Sequence, residues 1–222
     1  MIAVVIPAHN EEAFLGHCLQ SVCGAAAHPE LAACPVRIVV VLDSCTDRSS
    51  EVAARFGVER LQVDAGNVGV ARSAGARHAI DAGAHWLAFT DADTRVPPDW
   101  LQAQLALRAA AVCGTVDVDS WQGHDASTRL LYDAHYQSRD GHRHIHGANL
   151  GVSAAAYCRA GGFPALARGE DVALVERLMA LGEQVVWSAY PSVCTSARRE
   201  ARVRGGFGDF LLSLEQRAQC RL

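Results

Sequence analysis

Asp91 and Asp93 stand one residue apart at the end of the apolar run His85-Trp-Leu-Ala-Phe-Thr90. Such a run reads as a buried strand, and a buried strand that ends in two acids has either left the core or reached a cation. A divalent cation holding a phosphate is the chemistry this pair suggests; turn or helix caps are the alternative for Asp-x-Asp taken alone. Three other groups could join it. Asp43 closes the strand-like run Val36 to Leu42, Arg72 lies on a helix of small residues, and Asp171 follows Gly169-Glu170 at the start of a helix. A carboxylate at a helix start is stabilised in its charged form by backbone N–H groups and the helix dipole, so it can accept a proton. The plainer role there is an N-cap or first-turn acid.

These side chains need elements to position them. Residues 2 to 6 form a short apolar strand, and after Asn10-Glu11-Glu12 the residues Phe14, Leu15, Cys18, Leu19 and Val22 fall on one helical face. The unit repeats as a strand from Val36 to Leu42 with a helix ending near Phe56, then a strand from Val58 to Val63 with a helix from Asn67 to Ala82, then a fourth strand from Trp86 to Thr90. This alternation predicts an α/β fold with a mostly parallel sheet covered on both faces and ligand-binding loops at the carboxyl ends of its strands. Asp43, Asp91 and Asp93 all fall at such ends, so the fold is expected to gather them. Beyond Pro97-Pro98 the order is less regular. The pattern predicts a helix from Trp100 to Ala111, a strand from Val112 to Val118, a helix from Ser127 to Gln137 and a polar, mobile loop from Gln137 to Arg143. A glycine-punctuated strand from His146 to Ser153 and a short helix from Ala154 to Ala160 follow. A further helix starts at Asp171 with Val172, Val175, Leu178 and Met179 inward. No linker, low-complexity tract or repeat interrupts the chain, so one domain over 1–222 is expected.

Composition narrows the function. Twenty Lys and Arg against 24 Asp and Glu give a formal charge of −4, which supplies no basic surface for nucleic acid. The longest apolar runs are far shorter than a membrane span, and the first strand follows no basic region, so a cytoplasmic protein is expected. Eight cysteines without a C-x-x-C pair read as reduced thiols. His142, His144 and His146 alternate and could share one face, yet no further ligand stands at zinc spacing.

The motifs Val5-Ile-Pro-Ala-His-Asn-Glu-Glu12, Val41-Leu-Asp-Ser-Cys-Thr-Asp47, Asn67-Val-Gly-Val-Ala-Arg72, Asp91-Ala-Asp93, Gly147-Ala-Asn149, Gly161-Gly-Phe163 and Gly169-Glu-Asp171 resemble, in order and over about residues 2 to 215, those of glycosyltransferase family 2. The resemblance implies a compact GT-A fold with a Rossmann-like N-terminal half, about 1–95 binding nucleotide and about 96–222 binding acceptor. It implies an inverting transfer from a nucleotide-diphosphate sugar, a UDP-sugar by default, to an acceptor hydroxyl with Mn²⁺ or Mg²⁺. Pro7, His9 and Glu11 match the first nucleotide-binding loop, with His9 where Tyr is frequent. Asp43 matches the acid that contacts the base, Leu42 standing where a second acid is common, and Arg72 matches a basic residue facing the nucleotide or its diphosphate. Asp93 is the expected metal ligand, with Asp91 on ribose or a metal-bound water. Asp171 matches the general base, and Glu170 is assigned to the acceptor. Asn149 is placed with the donor-binding residues.

Thr195-Ser-Ala-Arg-Arg199, Arg202 and Arg204 form a basic cluster before an apolar stretch. Arg198 and Arg199 are expected to close over the diphosphate; peripheral contact with anionic lipid is the alternative. Two other functions fit part of the pattern. A nucleotidyltransferase would need a glycine-rich basic loop where Pro7-Ala-His-Asn10 stands, and an inactive nucleotide-sugar binding protein would have no need of acids at 43, 91, 93 and 171.

Overall fold

The strand-forming runs near the N-terminus are apolar at successive positions, which requires cover on both faces. The computed structural model describes residues 1–118, 121, 126–166, 168–196 and 215. In it β1 (Ile2–Ala8) pairs in parallel with β2 (Val36–Asp43) and β4 (Trp86–Phe89), and β2 pairs in parallel with β3 (Glu59–Val63). Helices α1 (Leu15–Ala26), α2 (Ser49–Arg55) and α3 (Val68–Asp81) are the crossovers. Alternate residues of β1 feed the two cores. Ile2, Val4 and Ile6 pack with Leu15, Leu19 and Val22 of α1, while Ala3 and Val5 pack with Val39, Val41, Ala71 and Ala76. Gly75 lets α3 lie against the sheet, since a Cβ there would stand 2.5 Å from Val5 and 2.7 Å from Val41.

The second half extends the same sheet. β5 (Thr94–Arg95), β6 (Ala111–Val118), β7 (Leu150–Ser153) and β8 (Val185–Thr195) complete the order β3-β2-β1-β4-β7-β6-β8-β5. β7 runs antiparallel between β4 and β6, β8 is parallel to β6, and β5 is antiparallel to β8. Helices α4 (Trp100–Ala106), α5 (Ala126–His135), α6 (Ala154–Arg159) and α7 (Glu170–Ala180) flank it. The chain reverses its progress across the sheet between β1 and β4, and the crevice at such a point is where open α/β sheets bind ligands.

Four expectations are corrected. α4 stops at Ala106 rather than Ala111, because Arg108 adopts a left-handed φ of 49° and Ala111 is drawn into pairing with β7 and β8. β8 has no counterpart in the sequence reading, because Ser188, Pro191 and Ser192 break its apolar pattern. On α7, Leu174, Val175 and Leu178 are buried, whereas Val172 and Met179 are exposed. The polar segment 137–143 is fastened rather than loose. Asp140 accepts from the Ala189 N–H at 2.8 Å, and the Gly141 N–H donates to the Trp187 carbonyl at 2.8 Å.

Candidate active site

The loops after β1 and β2 are knitted together by backbone geometry that Asn10 permits. At φ 54° its side-chain oxygen accepts from the N–H groups of Thr46 and Asp47 at 2.7 and 3.2 Å. His9 Nδ1–H donates to the Asp43 carbonyl at 2.7 Å, and the Glu11 N–H donates to Ser49 Oγ at 2.8 Å. Glu11 is buried and Pro7 half-buried at the end of β1. Asp47 caps α2, accepting from the Ser49 N–H at 2.9 Å, and Glu12 reaches across to accept from the Arg48 N–H at 2.9 Å.

Asp43 is buried, and its carboxylate accepts three backbone N–H bonds from the next connection, from Ala65 at 2.8 Å, Gly66 at 2.9 Å and Asn67 at 2.8 Å. Asn67 then caps α3 through the Val70 N–H at 3.0 Å. Burial raises the Asp43 carboxyl, and the three N–H bonds outweigh it, leaving its pKa below the ordinary value of 3.8. The stability it contributes is therefore complete above about pH 4 and is lost as pH falls through the lowered folded value. Asp43→Asn would set its NH₂ against an N–H donor. It is expected to destabilise by about 1–3 kcal/mol at pH 7, a difference from wild type that narrows below pH 4 in urea unfolding.

Asp43 and Asn67 thereby set the start of α3, which carries Arg72 one turn further on. Arg72 is 4 % exposed. It forms ion pairs with Asp91, at the end of β4, and with Glu170, at the start of α7. Gly69, on the same helix, leaves room for the Pro164 carbonyl and the Glu170 side chain, which a Cβ would meet at 2.6 and 3.1 Å. Burial pushes the Glu170 carboxyl above its usual range, Arg72 opposes that shift, and neighbouring Asp171 adds to it.

Asp171 sits in the first turn of α7 after Gly169, whose φ is 72°. Its Oδ2 accepts from the Gly147 N–H at 2.8 Å and its Oδ1 from the Val172 N–H at 2.8 Å. Gly147 in turn lies against Arg72, and any Cβ there would collide with the guanidinium. Asp93 accepts from Thr195 Oγ1 at 3.5 Å, and Thr195 also bonds Thr94 across the β5–β8 pair at 2.9 Å. One centre thus gathers Arg72, Asp91, Glu170, Asp171 and Gly147. Asp43 and His9 lie on the loops that support it.

Asn149 lies in the sheet layer just before β7, beside this centre. It is fully buried, donates to the carbonyls of Thr115 and Pro191 at 2.8 Å each, and accepts from Trp100 Nε1 at 2.9 Å. Arg198, Arg199 and the rest of the C-terminal basic and apolar segment lie outside the described residues. Sequence reasoning missed Gly147 as the partner of Asp171; its only signal was membership in Gly147-Ala-Asn149. It also missed Gly69 and Thr195.

The donor set suits a hard divalent cation. Asp91, Glu170 and Asp171 all act on one guanidinium, Asp93 is two residues from Asp91, and the ligands on offer are carboxylate oxygens, as Mg²⁺ and Mn²⁺ prefer. Among the described residues no three His, Cys, Asp or Glu side chains converge on a common point. A cation here would rely on one or two carboxylates, with phosphate and water completing its shell. The three imidazoles of His142, His144 and His146 form a stack instead, with ring centroids 5.4 and 6.0 Å apart.

A family model described as Glycosyl transferase family 2 matches residues 3–161. Among solved structures, S. aureus TarS 1-349 in complex with UDP-GlcNAc superposes with a TM-score of 0.69 at 14 % identity, over 99 % of this chain and 65 % of that one. The mannosyltransferase PcManGT from Pyrobaculum calidifontis, in complex with GDP-Man and Mn²⁺, superposes with a TM-score of 0.63 at 16 % identity, over 100 % of this chain and 64 % of that one. The chain therefore spans a little under two thirds of each of these two structures, and at such identities the likeness is one of fold. No curated protein matches in sequence.

Proposed function

The chain belongs to glycosyl transferase family 2 and has the GT-A fold, and on that basis we propose that it is an inverting, metal-dependent glycosyltransferase. It would move a sugar from a nucleotide-diphosphate donor, by default a UDP-sugar, to an acceptor hydroxyl. The observation that carries this reading is the bridge made by Arg72. One buried cation holds Asp91 of the donor-side acid pair and Glu170 of the acid pair at α7, so the two halves of a transfer reaction meet at a single point.

Asp171 is the general base. Its two N–H bonds leave a carboxylate lone pair for the acceptor proton while fixing the side chain's direction. Glu170, locked by Arg72, shapes the acceptor side. Arg72 offers charge-assisted hydrogen bonds to the departing diphosphate. Pro7, His9, Glu11 and Asp43 form or support the wall for the nucleoside, with Asn149 holding the floor beneath. Asp93, with Asp91, would hold Mn²⁺ or Mg²⁺, which when bound supplies Lewis-acid stabilisation of the leaving phosphate. Arg198 and Arg199 follow Thr195, the hydroxyl partner of Asp93, by three and four residues; that adjacency supports their assignment to the diphosphate. No helix among the described residues is long and apolar enough to cross a membrane. The seven described cysteines are free thiols, which supports a reducing, cytoplasmic setting; binding to anionic vesicles would test contact of the C-terminal segment with lipid.

Incubation with UDP-GlcNAc or GDP-Man plus Mn²⁺ is expected to release nucleoside diphosphate, measured by coupled assay. EDTA should abolish the release, and Asp93→Ala should lower it by about 10²-fold or more. Undiminished release in EDTA or from Asp93→Ala would remove the metal from the mechanism.

A further inference from the structure

His142, His144 and His146 alternate along the segment that leads directly into Gly147. Their rings form a continuous stack with Tyr136, which lies 4.2 Å from His144 and 4.9 Å from Tyr132 between centroids. The donors around them fix where each ring carries its proton. The Val116 N–H donates to Tyr136 Oη at 2.8 Å, so the buried hydroxyl directs its own proton to His146 Nε2 at 3.0 Å. The Gln137 N–H donates to His144 Nε2 at 3.2 Å. The His144 N–H donates to His142 Nδ1 at 3.1 Å, while His142 Nε2–H donates to the Ser188 carbonyl at 3.2 Å. Each imidazole therefore uses one nitrogen lone pair as an acceptor, and an imidazolium has none.

We infer that His142, His144 and His146 are positioning residues for Asp171, pinning the segment whose next residue, Gly147, donates its N–H to that carboxylate, and that they do so only as neutral imidazoles. This rests on the assignment of Asp171 as the base. The segment is held from three sides. Tyr136, the residue after α5, faces His144 and His146. Trp187 and Ser188 of β8 face His142, with Asp140 bonded to Ser188 and Arg143 stacked on Trp187 at 5.1 Å. Asp91 acts on His146 from the end of β4. Burial and the two neighbouring imidazoles lower the pKa of His146 to about 4, with Asp91 opposing; burial and His142 lower that of His144. Both folded values lie below the ordinary 6.5, so the unfolded or released segment takes up protons first. The pinned state is fully stable above about pH 6.5 and weakens as pH falls towards 4. When the segment lets go, Gly147 leaves Asp171, and the face of Gly147 that packs on Arg72 leaves with it.

¹⁵N NMR of the full chain between pH 8 and 4, following the histidine rings and the Gly147 amide, tests this. At pH 8 the proton is expected on Nδ1 of His144 and His146 and on Nε2 of His142, and the Gly147 amide shift is expected to move with the imidazole titration. His146→Gln offers the Tyr136 hydroxyl an oxygen that does not titrate, so the Gly147 transition should move down by about one pH unit. Tyr136→Phe removes the hydroxyl donor, so it should move up. The acid limb of donor hydrolysis should follow in the same two directions, a response that general loosening of the fold would not give. A Gly147 shift that is constant from pH 8 to 4, or that moves at the same pH in wild type and both variants, overturns the inference. The NMR readout needs no turnover, so absence of hydrolysis in the wild type at pH 8 counts against the glycosyltransferase assignment and leaves this test standing.

Discussion

Replacing Asp171 by Asn is expected to lower turnover by about 10²–10⁴-fold, the span attributed to a positioned general base. The Asn side chain keeps an oxygen for the Gly147 N–H, which Asp171 holds at 2.8 Å, and loses only the solvent-exposed bond to the Val172 N–H, which water can replace. Folding and donor binding should therefore survive, with the donor KM changed by no more than about threefold, because only an interaction specific to the transition state has been removed. Steady-state release of nucleoside diphosphate in the presence of Mn²⁺, with a thermal midpoint measured alongside, separates the two effects. Turnover within tenfold of wild type in a folded Asp171→Asn protein would assign the base elsewhere, and Glu170 would be the next group to examine.

The second large effect concerns stability as much as activity. Arg72→Met leaves Glu170, which is 3 % exposed, without its counter-ion. Removing one partner of a buried pair destabilises by about 3–5 kcal/mol because the remaining charge has no compensation. Arg72→Met combined with Glu170→Gln removes the orphaned charge, and urea unfolding should show most of that loss restored. Transfer should remain suppressed in the double variant, since the guanidinium proposed to bind the diphosphate is still absent. If Arg72→Met unfolds at the same urea concentration as wild type, the bridge between the halves contributes nothing to the fold.

Much of this centre is legible in the chain. Asp91 and Asp93 announce themselves by ending a strand of large apolar residues, and Asp171 by following Gly169 at a helix start. The four-strand parallel half is legible because each strand is a short apolar run and each helix keeps a regular buried stripe. What is illegible depends on partners far away in sequence. The carboxylate of Asp43 reads as a free acid at a strand end until the N–H groups of Ala65, Gly66 and Asn67 are brought to it. Asn149 reads as a ligand-facing amide until Thr115, Pro191 and Trp100 surround it. β8 escapes pattern reading because Pro191 sits beside the register shift between Cys113 and Thr115 of β6, where an irregular ladder tolerates a residue without an N–H. α4 ends short of its sequence pattern because helix propensity through Ala109, Ala110 and Ala111 yields to sheet pairing, a case of tertiary context overriding local preference.

The insertion of β7 between β4 and β6 has a consequence for how the protein is made. β4 finds its second neighbour only in Leu150–Ser153, and Arg72 finds Glu170 later still. A nascent chain emerging from the ribosome through Arg95 therefore presents β1 to β4 with a bare hydrogen-bonding edge on β4 and a cation poised at the carboxyl end of the sheet without its full complement of acids. Exposed edges of this kind recruit other strands. The half built from β1 to β4 is thus no module that matures by itself during translation. Its completion waits for residue 170, which makes this interval the one in which a chaperone that shields strand edges would raise the yield of native enzyme.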